Sequence, residues 1–264
     1  MRDVQLMRFG GDAAFDALLL KRGARAFEHA LERTRTLAAA GTTVVWAVDL
    51  DNTLYDTRAR TLAAGKSFDA AHGTTYFASI DTSDLGRIGR DGKATAVNVG
   101  MSEQHAASFR AHWDVAFWDP AMLAHDVELP DVVAKVQGLI EAGATIRYVT
   151  GRAERWTDDV TGQTLGYRAD TLARLARSGL PATDESLVLK PEVGEDTSTF
   201  KRDALVAMEA KDNTVVAGFV TDTLHELIAM RHTESIPCFW VRTSFELARH
   251  TATPPWVYHL PQVM

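Results

Sequence analysis

The stretch Thr43-Val-Val-Trp-Ala-Val-Asp-Leu-Asp-Asn-Thr-Leu54 decides how the rest of the chain is interpreted. Its first six residues are apolar or β-branched, which predicts a strand buried in a sheet. Asp49 and Asp51 follow where the apolar run stops, and a turn at this point can bring both carboxylates into one pocket. Charged groups beside a buried strand need a task such as metal binding or proton transfer, unless they serve as a helix cap and a turn residue.

The overall composition is that of a soluble globular protein, with 264 residues, of which 46% are hydrophobic and 24% charged. The formal net charge of −7 argues against a non-specific nucleic-acid binder, which needs a basic surface. The single Cys238 excludes an internal disulfide, and we expect a buried, inert thiol. No apolar run reaches the ~18 residues of a membrane span, and the N-terminus lacks the apolar region of a secretion signal. We therefore expect a cytoplasmic protein.

Strand-like and helix-like segments alternate along most of the chain. Apolar runs predict strands at 43–48, 145–149, 186–189, 214–220 and 237–241. Helical periodicity predicts helices at 12–40, 130–142, 167–177, 200–210 and 224–231. This alternation predicts an α/β fold in which a parallel sheet of about five strands is covered by helices on both faces, a three-layer sandwich.

The first two predicted strands are separated by far more chain than a β-α-β unit needs. Asp49 and Thr150 are 101 positions apart, whereas a complete unit takes about 30 residues or more. We expect residues 57–126 to form a small inserted cap, and residues 1–56 and 127–264 to form the core. An insert at this edge of a parallel sheet would overlie the ligand site, so we interpret it as a lid that closes on substrate rather than as a decoration.

Polar side chains end three of the predicted strands. Asp49 and Asp51 end the first, Thr150-Gly151-Arg152 ends the second, and Thr221-Asp222 ends the fourth. The carboxyl ends of parallel strands meet at one edge of the sheet, so we expect these groups to converge there. The convergence favours a functional site over separate caps and solvated charges.

These groups are suited to phosphoryl transfer. A carboxylate can attack phosphorus and form an aspartyl-phosphate, while a second carboxylate two positions on can carry the proton. Mg²⁺ takes one or two carboxylates together with phosphate oxygens and water, and it would offset the repulsion between nucleophile and phosphate. Backbone N–H groups and a threonine hydroxyl can bind phosphoryl oxygens, and a lysine can stabilise the developing charge. Lys190 and Lys201 are both available for that role.

The ordered set resembles the four motifs of the haloacid dehalogenase superfamily of Mg-dependent hydrolases. The matching residues are Asp49-Leu-Asp51-Asn-Thr53, Thr150-Gly151-Arg152, Lys201 and Asp222. The resemblance implies a Rossmann-like sheet and a cap of the family's first type, with Asp49 as nucleophile and Asp51 as general acid–base. It also implies Thr150 as a phosphate ligand and Lys201 as charge stabiliser. Mg²⁺ would be held by Asp49, Asp222 and the backbone carbonyl of Asp51. Dehalogenases lack the second aspartate, so Asp51 favours phosphate chemistry.

The remaining motif residues leave some assignments open. Phosphate binding is expected of four of them, Asn52, Thr53, Gly151 and Arg152. Glu226 could bind a metal-bound water or orient Lys201, or it could be a solvated helix residue. We prefer Lys201 over Lys190 as the motif lysine, because Lys190 ends the predicted edge strand, farther from the nucleophile.

The insert carries no motif that identifies a substrate. Its histidines, at positions 72, 105, 112 and 125, lack metal-ligand spacing, which argues against a zinc site. Trp113, Phe117 and Trp118 recur at helical spacing and are interpreted as lid core rather than as a platform for stacking bases. The Asp91-Gly92 pair predicts a hairpin turn.

The function that this pattern predicts is a Mg²⁺-dependent phosphomonoester hydrolase that acts on a small organic phosphate through an aspartyl-phosphate. A phosphotransferase or mutase with the same intermediate, and a phosphate-binding regulatory protein without turnover, are the alternatives. Processing of polynucleotide ends is disfavoured by the acidic net charge.

Overall fold

A single parallel sheet organises the molecule. The computed structural model describes residues 7–8, 13–157, 162, 164–192, 194–230, 236–243 and 252–261. The strands of the sheet are β1 (Thr43–Val48), β2 (Thr145–Ala153), β3 (Leu187–Lys190), β4 (Thr214–Thr221), β5 (Cys238–Arg242) and β6 (Val257–Pro261). Their spatial order is β6-β5-β4-β1-β2-β3, and every neighbouring pair is parallel. The predicted α/β fold is confirmed.

Helices cover both faces of this sheet. Those that pack on it are α1 (Ala13–Ala39), α5 (Pro130–Glu141), α6 (Arg168–Arg177), α7 (Thr197–Glu209) and α8 (Leu224–Ala229). Helices α2 (Arg58–His72), α3 (Gly92–Asn98) and α4 (Glu103–Ala116) lie instead in the chain between β1 and β2. Alternate β1 residues enter different apolar clusters: Trp46 packs with α5 and α6 residues, and Val45 packs with residues of α7 and α8. The sheet is therefore the middle layer of a three-layer sandwich.

The sheet has one strand more than the sequence predicts. β6 pairs with β5 from Cys238↔Val257 to Arg242↔Pro261. Its sequence, Val-Tyr-His-Leu-Pro, is short and contains a proline, which is tolerated on an edge strand. Helix α1 lies against it so closely that a Cβ at Gly23 would come within 1.8 Å of the His259 carbonyl oxygen. Packing against α1 therefore stabilises a strand that its own sequence only weakly specifies.

The predicted hairpin at Asp91-Gly92 is wrong. Asp91 instead begins α3, because its side chain accepts a hydrogen bond from the Ala94 N–H at 2.8 Å. Asp favours turns and helix N-caps for the same reason, a short side chain that binds nearby backbone N–H groups. Gly92 lies against Trp113, where an added Cβ would approach the ring to 3.1 Å.

The chain between β1 and β2 builds an apolar cluster of its own. Its buried members include Leu62 and Phe68 from α2 and Phe109 and Trp113 from α4. The two connections to the rest of the protein pair with each other, since Tyr55–Asp56 is antiparallel to Val127–Glu128. A two-residue ribbon thus joins residues 57–126 to the carboxyl edge of the sheet.

Two smaller findings bear on the composition. Cys238 is buried, and burial raises the pKa of its thiol to about 12, as expected for an inert cysteine. Among the described residues, no helix is long and apolar enough to cross a membrane.

Candidate active site

A cavity of about 510 Å³ lies at the carboxyl edge of the sheet, between the sheet and the insert. Eight of the ten residues assigned to the site from the sequence line it: Asp49, Asp51, Asn52, Thr150, Gly151, Lys201, Asp222 and Glu226. The other two, Thr53 and Arg152, are fully buried behind its wall. Strands β1, β2 and β4 are neighbours, so the convergence follows directly from the sheet order.

The turn after β1 brings the first two carboxylates to the cavity. The Leu50 carbonyl accepts hydrogen bonds from the N–H groups of Thr53, Leu54 and Tyr55, at 3.1, 2.8 and 3.0 Å, which closes the turn. Asn52 takes a left-handed conformation with φ 58°, which asparagine tolerates better than most residues. Because the chain leaves the alternating strand geometry here, Asp49 and Asp51 both reach the cavity.

Three groups fix the carboxylate of Asp49. The ammonium Nζ of Lys201 lies 2.8 Å from its Oδ1. The Thr53 hydroxyl donates to its Oδ2 at 3.4 Å, and the Thr221 hydroxyl lies 3.3 Å from the same atom. The Asp49 side chain is thus held in place at the cavity by one cation and two hydroxyl groups.

Lys201 is fully buried between two carboxylates. Glu226 is also buried, and its Oε2 lies 2.7 Å from the lysine Nζ and accepts from the Thr221 hydroxyl at 2.8 Å. Burial alone would lower the pKa of Lys201, but the charges of Asp49 and Glu226 outweigh it and raise the pKa above its ordinary value. Lys201 therefore carries a permanent positive charge beside Asp49.

These contacts bear on two questions that the sequence left open. The interpretation of Glu226 as a solvated helix residue is wrong, since its carboxylate is buried and orients Lys201. Of the two candidate lysines, Lys201 is the one paired with Asp49. Lys190 donates instead to the Glu195 carbonyl at 2.9 Å, and so secures the loop before α7.

Asp51 lies in a buried network of two arginines and a second aspartate. The Nη2 groups of Arg152 and Arg60 lie 2.6 and 2.8 Å from its Oδ1. Both arginines also contact the buried Asp126, with Nη2 to Oδ2 distances of 3.0 Å from Arg152 and 2.5 Å from Arg60. Burial alone would raise the pKa of Asp51, but the charges of Arg152 and Arg60 hold that pKa far below its usual range.

This network includes two residues that the sequence gave no reason to select. Arg60 lies on α2, and Asp126 follows the 3₁₀ turn Pro120–His125 at the end of the insert. The arginine of the second motif, Arg152, supports Asp51 from behind rather than lining the cavity. Phosphate contact by Arg152 or Thr53 stays a prediction.

Asp222 supplies the second carboxylate suited to a metal. Its N–H donates to the Thr53 hydroxyl at 2.9 Å, and its carbonyl accepts from the Trp240 indole at 2.7 Å. In the part of the chain that the structure describes, no three His, Cys, Asp or Glu side chains are grouped to hold a metal. Two carboxylates, from Asp49 and Asp222, with oxygen donors around them nevertheless fit Mg²⁺, which fills its other positions with water and phosphate.

The insert contributes its own cation to the cavity. Arg90 lines it and donates from Nη2 to the Thr223 hydroxyl at 2.7 Å, and that hydroxyl donates to Asp222 Oδ1 at 3.0 Å. A hydrogen-bond chain therefore runs from the insert to the end of β4. No sequence motif surrounds Arg90, so only the structure could indicate it.

Among the described residues, the histidine that lines the cavity is His225 of α8, and no insert histidine does so. His112 shares a hydrogen bond with the Ser67 hydroxyl at 2.7 Å, and His105 shares one with the Tyr76 hydroxyl at 2.6 Å. These two insert histidines stabilise packing within the insert.

The sequence matches no known family model and no curated protein. Solved structures do share its fold. A presumptive phosphatase from Clostridium difficile is 12% identical, with 84% of this chain and 95% of that chain covered and a TM-score of 0.52. A predicted phosphatase from Clostridium acetobutylicum is 13% identical, with 84% and 94% covered and a TM-score of 0.51.

A third structure connects this fold to the resemblance noted in the motifs. A haloacid dehalogenase-like hydrolase from Streptococcus pneumoniae is 14% identical, with 85% of this chain and 95% of that chain covered and a TM-score of 0.50. The chain therefore has the fold of haloacid dehalogenase-like hydrolases, and the fold that the motifs implied is confirmed. At such low identity the likeness shows the fold alone.

Proposed function

We propose that this chain is a Mg²⁺-dependent phosphomonoester hydrolase that acts on a small organic phosphate through an aspartyl-phosphate on Asp49. The observation that carries the proposal is the pairing of Asp49 with the buried ammonium of Lys201 at 2.8 Å. A carboxylate fixed beside a permanent cation, at a cavity that Asp51 and Thr150 also line, supports a role for Asp49 in attack on a phosphate. The fold shared with solved phosphatases and hydrolases supports it.

In the first step, an oxygen of Asp49 attacks phosphorus, and Lys201 stabilises the charge that develops on the phosphoryl oxygens. The Thr150 hydroxyl and the backbone of Gly151 bind those oxygens in this proposal, which is supported by their position at the cavity wall. Mg²⁺, held by Asp49, Asp222 and the Asp51 carbonyl, would offset the repulsion between the nucleophile and the phosphate.

Asp51 moves the proton in both steps. It gives a proton to the leaving oxygen, and it later takes one from the water that attacks the aspartyl-phosphate. Its two arginine partners stabilise the ionised form, which is the form needed to accept the proton from water. Donation to the leaving group requires the Asp51 side chain to turn away from these guanidinium groups.

We further propose that residues 57–126 form a cap over a core of residues 1–56 and 127–264. The separate apolar cluster of the insert and the ribbon at its base support this division. The position of the cavity between insert and sheet supports a role for the insert in enclosing substrate.

The test is phosphate release from a panel of phosphomonoesters, with Mg²⁺ and with a chelator. We expect Mg²⁺-dependent release from at least one ester, and a loss of at least about 10³-fold in Asp49→Asn. Asp56→Asn is the matched control, because Asp56 lies on the connection after the same turn and pairs with Arg58. No release from any ester, or equal release in Asp49→Asn, would reject the proposal.

The same assay separates the alternatives. New phosphoesters in the presence of added alcohols would identify a phosphotransferase. Binding of inorganic phosphate without turnover of any ester would identify a regulatory protein.

A further inference from the structure

The cavity lining is polar except for one aromatic wall, and the insert supplies that wall together with the polar residues Thr57, Arg90 and Asp91. On the sheet side, its lining residues in the described part of the chain are all polar or glycine. Every apolar side chain that lines it comes from the insert: Trp113, Phe117 and Trp118. The three residues are core of the insert, as the sequence suggested, but they also form one wall of the candidate active site.

The three rings are held in a fixed arrangement. Trp113 and Phe117 stack with centroids 4.4 Å apart, and Phe117 meets Trp118 perpendicularly at 5.0 Å. The Arg60 guanidinium lies 4.4 Å from the Phe117 centroid, and Trp118 also meets Tyr167 perpendicularly at 6.3 Å. Trp113 and Phe117 are buried, whereas Trp118 is half-buried, so Trp118 offers the most accessible ring surface.

The in-line geometry of phosphoryl transfer directs the leaving group toward the three aromatic rings. In phosphoryl transfer the attacking and leaving oxygens lie roughly in line across phosphorus. Asp49 attacks from the sheet edge, so the leaving oxygen and the group attached to it extend away from the sheet, toward the insert. A cavity of about 510 Å³ is in the usual size range for an organic ligand rather than for phosphate alone.

We propose that the group attached to the phosphate carries a planar aromatic ring, as in a nucleotide or an aryl phosphate, and that Trp118 is the residue that selects it. This inference rests on the proposed function. Aromatic rings gain from contact with other rings beyond the burial of area. A polyol or sugar would instead lose hydration of the hydroxyls that face the three rings.

The test compares the binding of phosphonates, which are not hydrolysed, by calorimetry with the full chain and Mg²⁺. Phenylphosphonate and cyclohexylphosphonate have similar size and differ in the ring. We expect the phenyl compound to bind about 3- to 10-fold more tightly, with methylphosphonate weaker than both. Equal binding of the phenyl and cyclohexyl compounds, or tighter binding of the cyclohexyl compound, would overturn the inference.

Substitutions at Trp118 test whether this residue causes the preference for the phenyl compound. Trp118→Leu should bring the phenyl-to-cyclohexyl ratio close to one, while Trp118→Phe should keep most of it. Tyr258→Leu is the matched control, since Tyr258 is a half-buried aromatic on β6 that does not line the cavity, and the ratio should not change. Thermal unfolding shows whether Trp118→Leu is folded. If it is not, the phenyl-to-cyclohexyl ratios of the wild type and of Trp118→Phe still test the inference. An unchanged ratio in folded Trp118→Leu would remove Trp118 from the selecting role.

Turnover distinguishes the two sources of the ring. A higher kcat/KM for a nucleoside 5′-monophosphate than for an aryl phosphate identifies nucleotides, and the reverse identifies aryl esters. A preference for glycerol phosphate or a sugar phosphate over both overturns the inference but leaves the proposed hydrolase intact. Phosphonate binding with no phosphate release from any ester rejects the hydrolase instead.

Discussion

At the scale of single residues, Lys201 determines the electrostatics of the site. Its ammonium is fully buried and lies 2.8 Å from Asp49 and 2.7 Å from Glu226. A buried charge is tolerated only when it is paired and hydrogen-bonded, and here two carboxylates meet that requirement. The same pairing that allows burial also fixes Asp49, the proposed nucleophile, so structure and proposed chemistry depend on one side chain.

Replacing each of the two candidate lysines gives a matched prediction. Lys201→Met should lower kcat by about 10²- to 10³-fold, because the cation beside the phosphate is lost. Lys190→Met should leave kcat within a few-fold, because Lys190 donates to the Glu195 carbonyl at a loop. Steady-state phosphate release measures both variants. A larger loss in Lys190→Met would show that the lysine is assigned wrongly.

The sequence identifies site residues that follow a predicted strand. It does not identify residues that come together only when the chain folds. Asp49 and Asp222 could be selected because each stands directly after an apolar run. Arg60 and Asp126 could not, because they are 66 positions apart and meet only when both ends of the insert come together. Thr53 shows a related limit, since its motif position suggested a phosphate contact whereas its hydroxyl bridges Asp49 and Asp222.

At the scale of elements, the buried network joins the insert to the motif carboxylate. Arg60 from α2 and Arg152 from β2 both contact Asp51 and Asp126. Asp126 balances the second positive charge, so two guanidinium groups can both contact Asp51. A movement of α2 would therefore change the surroundings of Asp51 directly.

Asp126→Asn tests whether this network matters more for activity than the ion pair at the other connection of the insert. We expect about 3 kcal/mol loss in the free energy of unfolding, because two buried arginines lose a carboxylate. We also expect kcat to fall about 10- to 100-fold through displacement of Asp51. Chemical denaturation and phosphate release measure the two effects.

The opposite connection supplies the control for Asp126→Asn. Asp56 lies on the strand paired with Val127–Glu128 and forms an ion pair with Arg58 at 2.5 Å. Asp56 is itself buried, so Asp56→Asn should also lower the free energy of unfolding, but it should keep kcat. Equal losses of kcat in the two variants would show that the Asp126 network has no special link to Asp51.

Most elements were predictable because apolar periodicity is local. The predicted strand 214–220 differs by one residue from Thr214–Thr221. The predicted helix 12–40 differs by one residue at its C-terminal end from Ala13–Ala39, and its first residue lies outside the described residues. The wrong predictions arise where tertiary packing decides the structure or where a residue suits two local structures. β6 depends on packing against α1, and Asp91 has a side chain that suits a hairpin turn and a helix N-cap equally.

At the scale of the whole molecule, the edge of the sheet contains a histidine that resists protonation. His259 of β6 is buried and shares a hydrogen bond with the Thr253 hydroxyl at 2.8 Å. Burial, with a smaller effect of the Arg242 charge, lowers its pKa to about 4. The unfolded chain, with a histidine pKa of about 6.5, therefore binds more protons than the folded protein between these two values.

Stability should consequently fall as the pH drops from about 6.5 to 4. A pKa difference of this size is worth up to about 3 kcal/mol. The contribution of neutral His259 to the free energy of unfolding is complete above about pH 6.5 and fully lost below about pH 4. Urea unfolding at several pH values measures it, and His259→Gln should flatten the dependence in this window. His29→Gln, at an exposed position of α1, should leave the dependence as it is. An unchanged slope in His259→Gln would contradict the assignment.

The proposed mechanism requires a phosphoryl group on Asp49, and detection of that group tests the mechanism without reference to substrate identity. Asp51→Asn should slow hydrolysis of the aspartyl-phosphate more than its formation with an aryl ester, whose leaving group needs little protonation. The variant is mixed with substrate and Mg²⁺, quenched in acid, reduced with borohydride and mapped by peptide mass spectrometry. We expect the modified residue to be Asp49. Phosphate release without any modified Asp49, or modification of another residue, would contradict the mechanism.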